Sequence, residues 1–147
     1  MAEGDPVTAQ QTYRFGHIDP DGPFRDGATV TVVDDGATVL TLRSWTEPGR
    51  TATEPAGQVA VVAADGDIDM DTAPVLRHML AQALDCRPIV CCDLSQVTFF
   101  GAAAANLLLA MHWRATGRGH LLLLRGARAM TEYVLAVVDP DLVVARY

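Results

Sequence analysis

The chain has 147 residues, half of them hydrophobic, a formal net charge of −7 and no lysine. That length and apolar content suffice for one domain with its own core, while the acidic balance repels a phosphate backbone and argues against nucleic-acid binding. No apolar run approaches the roughly 20 residues of a membrane helix, and the acidic N-terminus lacks the basic and apolar regions of a signal peptide, so a cytoplasmic protein without membrane insertion is expected.

Residues 1–27 carry Asp-Pro and Asp-Gly turns and few apolar side chains, which predicts a flexible N-terminal arm. Residues 28–33 and 37–43 alternate and are rich in β-branched residues, and Asp34-Asp35-Gly36 lies between them, so they read as a hairpin. Residues 45–58 are rich in Pro, Gly and Thr and read as a long loop. A strand over residues 59–64 ends in the acidic turn Asp65-Gly66-Asp67-Ile68-Asp69-Met70-Asp71. A helix follows, with Asp71 or Thr72 as its N-cap and Pro74 in its first turn. Val75, Leu76, Met79, Leu80, Ala83 and Leu84 form its apolar face. Residues 89–93 read as a central buried strand, closed by a short polar turn.

A second helix is predicted over residues 102–116, ended by Gly117 or Gly119. Residues 120–124 form another buried strand. A third helix over 127–138 turns Ala127, Met130, Val134, Leu135 and Val138 inward, and a short extended segment ends the chain. The alternating second half implies a parallel sheet crossed by helices. The domain is expected to span 28–147 as a single α/β unit.

Polar chemistry is sparse. The two serines, Ser44 and Ser95, have no nucleophile motif around them, and His17, His78, His112 and His120 are scattered without ligand spacing. Neither a P-loop nor a G-x-G-x-x-G follows a strand. Asp65, Asp67, Asp69 and Asp71 alternate but lack the glycine and glutamate of a calcium loop. No enzyme activity, cofactor or metal is therefore expected. Cys86, Cys91 and Cys92 lack metal or redox spacing, and the adjacent pair reads as two small hydrophobes on opposite faces of a strand. The stretch Gly101-Ala102-Ala103-Ala104-Ala105 carries no hydroxyl, carboxylate or nitrogen on any side chain. Asn106 then interrupts an apolar run, either as an exposed polar residue or as a contact on a binding face, and Trp113 is either half-buried cover or an interface anchor.

Two motifs in order carry a family resemblance. They are Gly66-Asp67-Ile68-Asp69-Met70-Asp71-Thr72-Ala73 before the first helix, and Val90-Cys91-Cys92-Asp93-Leu94-Ser95-Gln96-Val97-Thr98-Phe99-Phe100 before a small-residue helix start. The chain resembles the STAS domain of anti-sigma factor antagonists. The resemblance implies an α/β fold, a mixed β-sheet with helices packed mainly on one side, used as a binding module whose partner is an anti-sigma factor, in many members a GHKL-type kinase that phosphorylates a serine at the start of the second helix. Here Gly101 stands at the family's aspartate and Ala102 at the serine, with Ala103 and Ala104 after them. The expected partner surface comprises Asp69, Asp71, Thr72, Gly101, Ala102, Ala103, Ala105 and Asn106. It has no phosphorylation site at the usual serine position. A module in a transport or sensor complex is the alternative.

Overall fold

A computed structural model of the chain describes residues 9–13, 26–49, 58–138 and 145–146. Seven strands form one sheet in sequence order: β1 (Ala9–Tyr13), β2 (Ala28–Asp34), β3 (Ala37–Pro48), β4 (Gln58–Ile68), β5 (Ile89–Phe100), β6 (Leu121–Arg125) and β7 (Ala145–Arg146). Three helices connect the later strands: α1 (Ala73–Cys86), α2 (Ala102–Gly117) and α3 (Ala129–Val138). β2, β3 and β4 pair antiparallel, β4 to β7 pair parallel, and β1 adds in parallel to β2.

The β2–β3 hairpin turns on Asp35 and Gly36, whose φ angles are 51° and 80°. Both central residues have positive φ, so the twist of the turn matches that of the strands. All three helices share one core with one face of the sheet, built on Val32, Leu40, Leu42, Val62, Leu76, Leu80, Leu94, Leu108, Leu124 and Leu135. The opposite sheet face holds a smaller cluster, Val59, Val61, Ile89, Cys91 and Leu123, with Trp45 packed against it. Cys91 and Cys92 are both buried and fall into different clusters, as adjacent strand residues must.

The predicted apolar face of α1 is buried at all six positions. α2 closes as the glycines suggest. Gly119 has φ +71°, and the amides of Gly119 and His120 donate to the carbonyls of Thr116 and Ala115 at 3.1 and 2.8 Å. That is the paired hydrogen bonding of a Schellman end.

Several expectations need correction. β1 falls inside the segment read as an arm; residues 1–8 and 14–25 lie outside the described residues. β3 runs on to Pro48 instead of ending at Arg43, and Gln58 already belongs to β4, so the expected 45–58 loop is shorter at both ends. Cross-strand pairing of Trp45 with Val61 and Glu47 with Val59 holds the extension, a non-local effect. Residues 50–57 lie outside the described residues. β4 and β5 also outrun their predicted ends. Asp65-Gly66 is therefore strand, not turn, and Ser95 and Thr98 sit within β5, with register shifts in the β4–β5 pairing between Ala63 and Asp65 and between Gly66 and Asp67. In α3, Met130 faces outward and is 68% exposed, while Thr131 takes the buried position. The helix starts at Ala129, and Thr131, Val134, Leu135 and Val138 form the inner stripe.

Candidate functional site

The lead-in to α1 is locked by a reciprocal pair. The Asp69 carboxylate accepts hydrogen bonds from the amides of Asp71 and Thr72, both at 2.9 Å. The Thr72 hydroxyl accepts the Asp69 amide at 2.9 Å and donates to the Asp67 carbonyl at 2.7 Å. Asp69 and Thr72 thus act as the two halves of a capping box. Thr72 is the N-cap residue of α1, one of the two expected, although its side chain makes no cap hydrogen bond to the helix; Asp71 is exposed. This lock presents Met70 to solvent, 78% exposed.

Beside it, the Gly101 amide donates to the Ile68 carbonyl at 3.3 Å, tying the start of α2 to the end of β4. Gly101 is the N-cap in an extended conformation, and no side chain caps the helix. The Phe99 ring lies over Gly101: a Cβ there would sit 3.0 and 3.3 Å from two ring carbons. Phe99 itself is 52% exposed.

A solvent-open groove runs between α1 and α2. Met70, Ala73, Pro74 and Arg77 line one side and Ala103, Asn106 and Leu107 the other. The groove brings Ala103 and Asn106 together with the 69–73 loop. Ala102 and Asp71 are exposed and Asp69 is half-buried. Thr72 and Ala105 are wholly buried and cannot touch a partner; Thr72 builds the loop and Ala105 packs the core. Met70, Pro74 and Arg77 line the same groove and Phe99 is exposed beside Gly101; none of the four is among the residues expected from the sequence. An apolar Met70 among aspartates and the Phe99-Phe100 pair on an alternating strand were the available signals, since only one of two adjacent strand residues can face the core.

The acidic residues do separate work. Asp67 accepts the Thr98 hydroxyl at 2.6 Å and Asp69 holds the turn. Among the described residues no group of three or more His, Cys, Asp or Glu is placed to hold a metal ion, and no helix is long and apolar enough to cross a membrane.

On the sheet's second face Arg125 bridges Glu47 at 2.6 Å and Asp93 at 3.1 Å, and the Trp45 indole donates to Glu47 at 2.9 Å. Burial alone would raise the Asp93 pKa. Hydrogen bonds from Ser95 and the Arg125 guanidinium outweigh it and hold the carboxyl below its ordinary value. Burial pushes the Cys92 thiol well up, so it stays protonated and inert. Cys86 is exposed.

Residues 51–144 match the family model described as "Mlab, STAS domain". Among curated proteins, none matches the chain in sequence. A solved structure of an anti-sigma factor antagonist from Mycobacterium paratuberculosis is similar at 26% identity and a TM-score of 0.49, over 71% of this chain and 85% of that one. The family model spans well over half of the chain, including both motifs and the groove between α1 and α2, and the chain belongs to the STAS-domain family.

Proposed function

We propose that the chain is an anti-sigma factor antagonist: it binds an anti-sigma factor through the α1–α2 groove, and phosphorylation of the second helix start does not control that binding. The observation that supports this most is the convergence of two separate motifs on one exposed groove, the Met70 loop and the start of α2. Small side chains at Ala102 and Ala103 let a partner backbone approach closely. Met70 and Phe99 supply the exposed apolar anchors that interfaces concentrate. With Ala102 in the serine position, a kinase-type partner has no acceptor hydroxyl at that point. The reading is of a binding module, with no catalytic role for its side chains.

The same face supports a second reading, an accessory subunit packed permanently in a transport or sensor complex. An apolar helix start without a switch residue suits a permanent contact. Genes beside this one discriminate: a sigma factor or GHKL kinase favours the first reading, permease components the second.

The direct test is affinity purification with mass spectrometry, comparing the wild type with Ala102→Asp. Wild type should recover an anti-sigma factor, and the variant at least about tenfold less, since a buried unpaired carboxylate at a docked face costs several kcal/mol. The variant's melting temperature should not fall, because a carboxylate in the first turn of α2 favours the helix by about 0.3–1 kcal/mol. Unchanged capture by a folded variant would place the contact elsewhere.

A further inference from the structure

Helices α1 and α2 lie side by side and run in the same direction, because each carries the chain from the end of one parallel strand to the start of the next. The bridges from Asp85 to Arg114 and Arg118 join them at their C-terminal ends and set their register. One turn back, Ala81 comes opposite Ala110, both small and half-buried. The turns before that bring Arg77 and Pro74 opposite Asn106, Leu107 and Ala103, which line the open groove. From Ala73 to the Asp85 bridges the seam is about 18 Å long, the length of a three-turn helix.

Among the described residues lining the groove, Arg77 alone is charged. It is exposed and makes no hydrogen bond or ion pair among the described residues. Other arginines are engaged: Arg114 and Arg118 with Asp85, Arg125 with Glu47 and Asp93, and Arg128 with the Ser95 carbonyl. Arg43 is also unpaired among the described residues, but it lies on β3 and points to the opposite sheet face. The exposed Asp71 carboxylate stands six positions before Arg77, roughly 9 Å along the helix axis, and it too has no ion pair among the described residues.

We propose that Arg77 is the specificity-determining residue of this groove, and that it pairs with a carboxylate on a partner helix of about three turns laid between α1 and α2. The inference rests on the groove being the partner site, and it names what that site selects. Small residues along the seam, Ala73, Ala81, Ala103 and Ala110, leave a trough that takes the apolar face of a third helix. Trp113, 58% exposed and seven positions after Asn106 on the same stripe of α2, extends the apolar contact toward the far end. Docking takes Arg77 out of water beside Met70, Pro74 and Leu107. A covered guanidinium without an anion is strongly unfavourable, so a neutral or basic helix is rejected there and an acidic one accepted. The net charge of −7 disfavours acidic partners in general, so a carboxylate is accepted where Arg77 meets it. Asp71 adds direction. A helix with a basic residue about six or seven positions from its acidic one meets both charges at once, and the same helix reversed sets like charge against like.

Calorimetric titration of the full chain with the anti-sigma factor that the wild type captures, purified, tests the inference. Arg77→Met should bind about tenfold more weakly and Arg77→Glu about a hundredfold, with circular dichroism unchanged. Reversing one acidic residue of the anti-sigma factor to arginine should restore Arg77→Glu to within about tenfold of the wild-type pair. A merely structural role would not respond to that change. Wild-type affinity in both Arg77 variants overturns the inference and leaves the proposed function standing. So does a loss in Arg77→Glu that no single acid reversal on the anti-sigma factor restores. Capture of no anti-sigma factor by the wild type overturns the proposed function, and this inference with it.

Discussion

Gly66 shows how one residue serves two elements. Its φ is +124°, and a Cβ there would drive into the Val39 carbonyl of β3. The position therefore needs glycine twice, for conformation and for space. Gly66→Ala should cost about 2–3 kcal/mol, read as a lower urea midpoint at unchanged slope; a loss within 0.5 kcal/mol, the level of ordinary surface changes, would contradict the strain. In the sequence Asp65-Gly66 looks like a turn, because the carbonyl that forbids a side chain comes from residues 26 or more positions earlier. Thr72 is a second case. It reads as a cap and holds the N-cap position, but its buried hydroxyl bonds Asp67 and Asp69 and not the helix. Thr72→Val keeps the shape and strands the Asp69 amide and the Asp67 carbonyl, so it should cost roughly 1–3 kcal/mol. It should also weaken partner capture, since the Met70 loop loses its lock. Full stability in Thr72→Val would show that the hydroxyl is dispensable.

At the scale of elements, legibility followed how local the signal was. The buried face of α1 was plain because six apolar residues repeat at helical spacing beside polar ones. In α3 only Met130 of the expected inward residues faces out, with Thr131 buried beside it, because the helix is apolar on both sides and periodicity cannot say which stripe faces the sheet. β3 was cut short because Trp45 to Pro48 has no apolar rhythm of its own. Its extension is held from outside, by pairing with β4 and by the bridge from Arg125, which lies 78 residues from Glu47. The start of α2 was legible as a feature, but which alanines face out was not: Ala102 and Asn106 are exposed while Ala104 and Ala105 are core. Four consecutive alanines carry no polarity to mark a face.

For the whole molecule, the sequential sheet order and single helical layer follow from strands alternating with helices, whereas the second sheet face is a product of tertiary pairing. There the row Trp45, Val61, Cys91, Leu123 lies beside the polar row that ends in Asp93 and Arg125. That polar row should shape the acid stability of the fold. Asp93 has a folded-state pKa below its unfolded value. Its contribution is therefore present above an unfolded pKa of about 3.9 and lost as pH falls through the lower folded value. Asp85 shifts the same way: burial would raise it, and Arg114 and Arg118 more than offset that. It is largely exposed, so solvent screening leaves it a small share. Stability should thus hold between about pH 7 and pH 5 and fall steeply below about pH 4. Relief of the −7 net charge acts in the opposite direction, but it is spread over the surface and screened by salt. Arg125→Met separates the two effects. It leaves Glu47 and Asp93 half-buried without their cation, which should cost about 2–4 kcal/mol at neutral pH. It should also flatten the acid limb, because Asp93 then titrates nearer its unfolded value and protonation relieves the uncompensated charge. Urea unfolding of both proteins at intervals from pH 3 to pH 7 checks this. Parallel curves offset by a constant would mean that Arg125 acts through packing against Trp45 and Leu123, and not through the carboxylates it bridges.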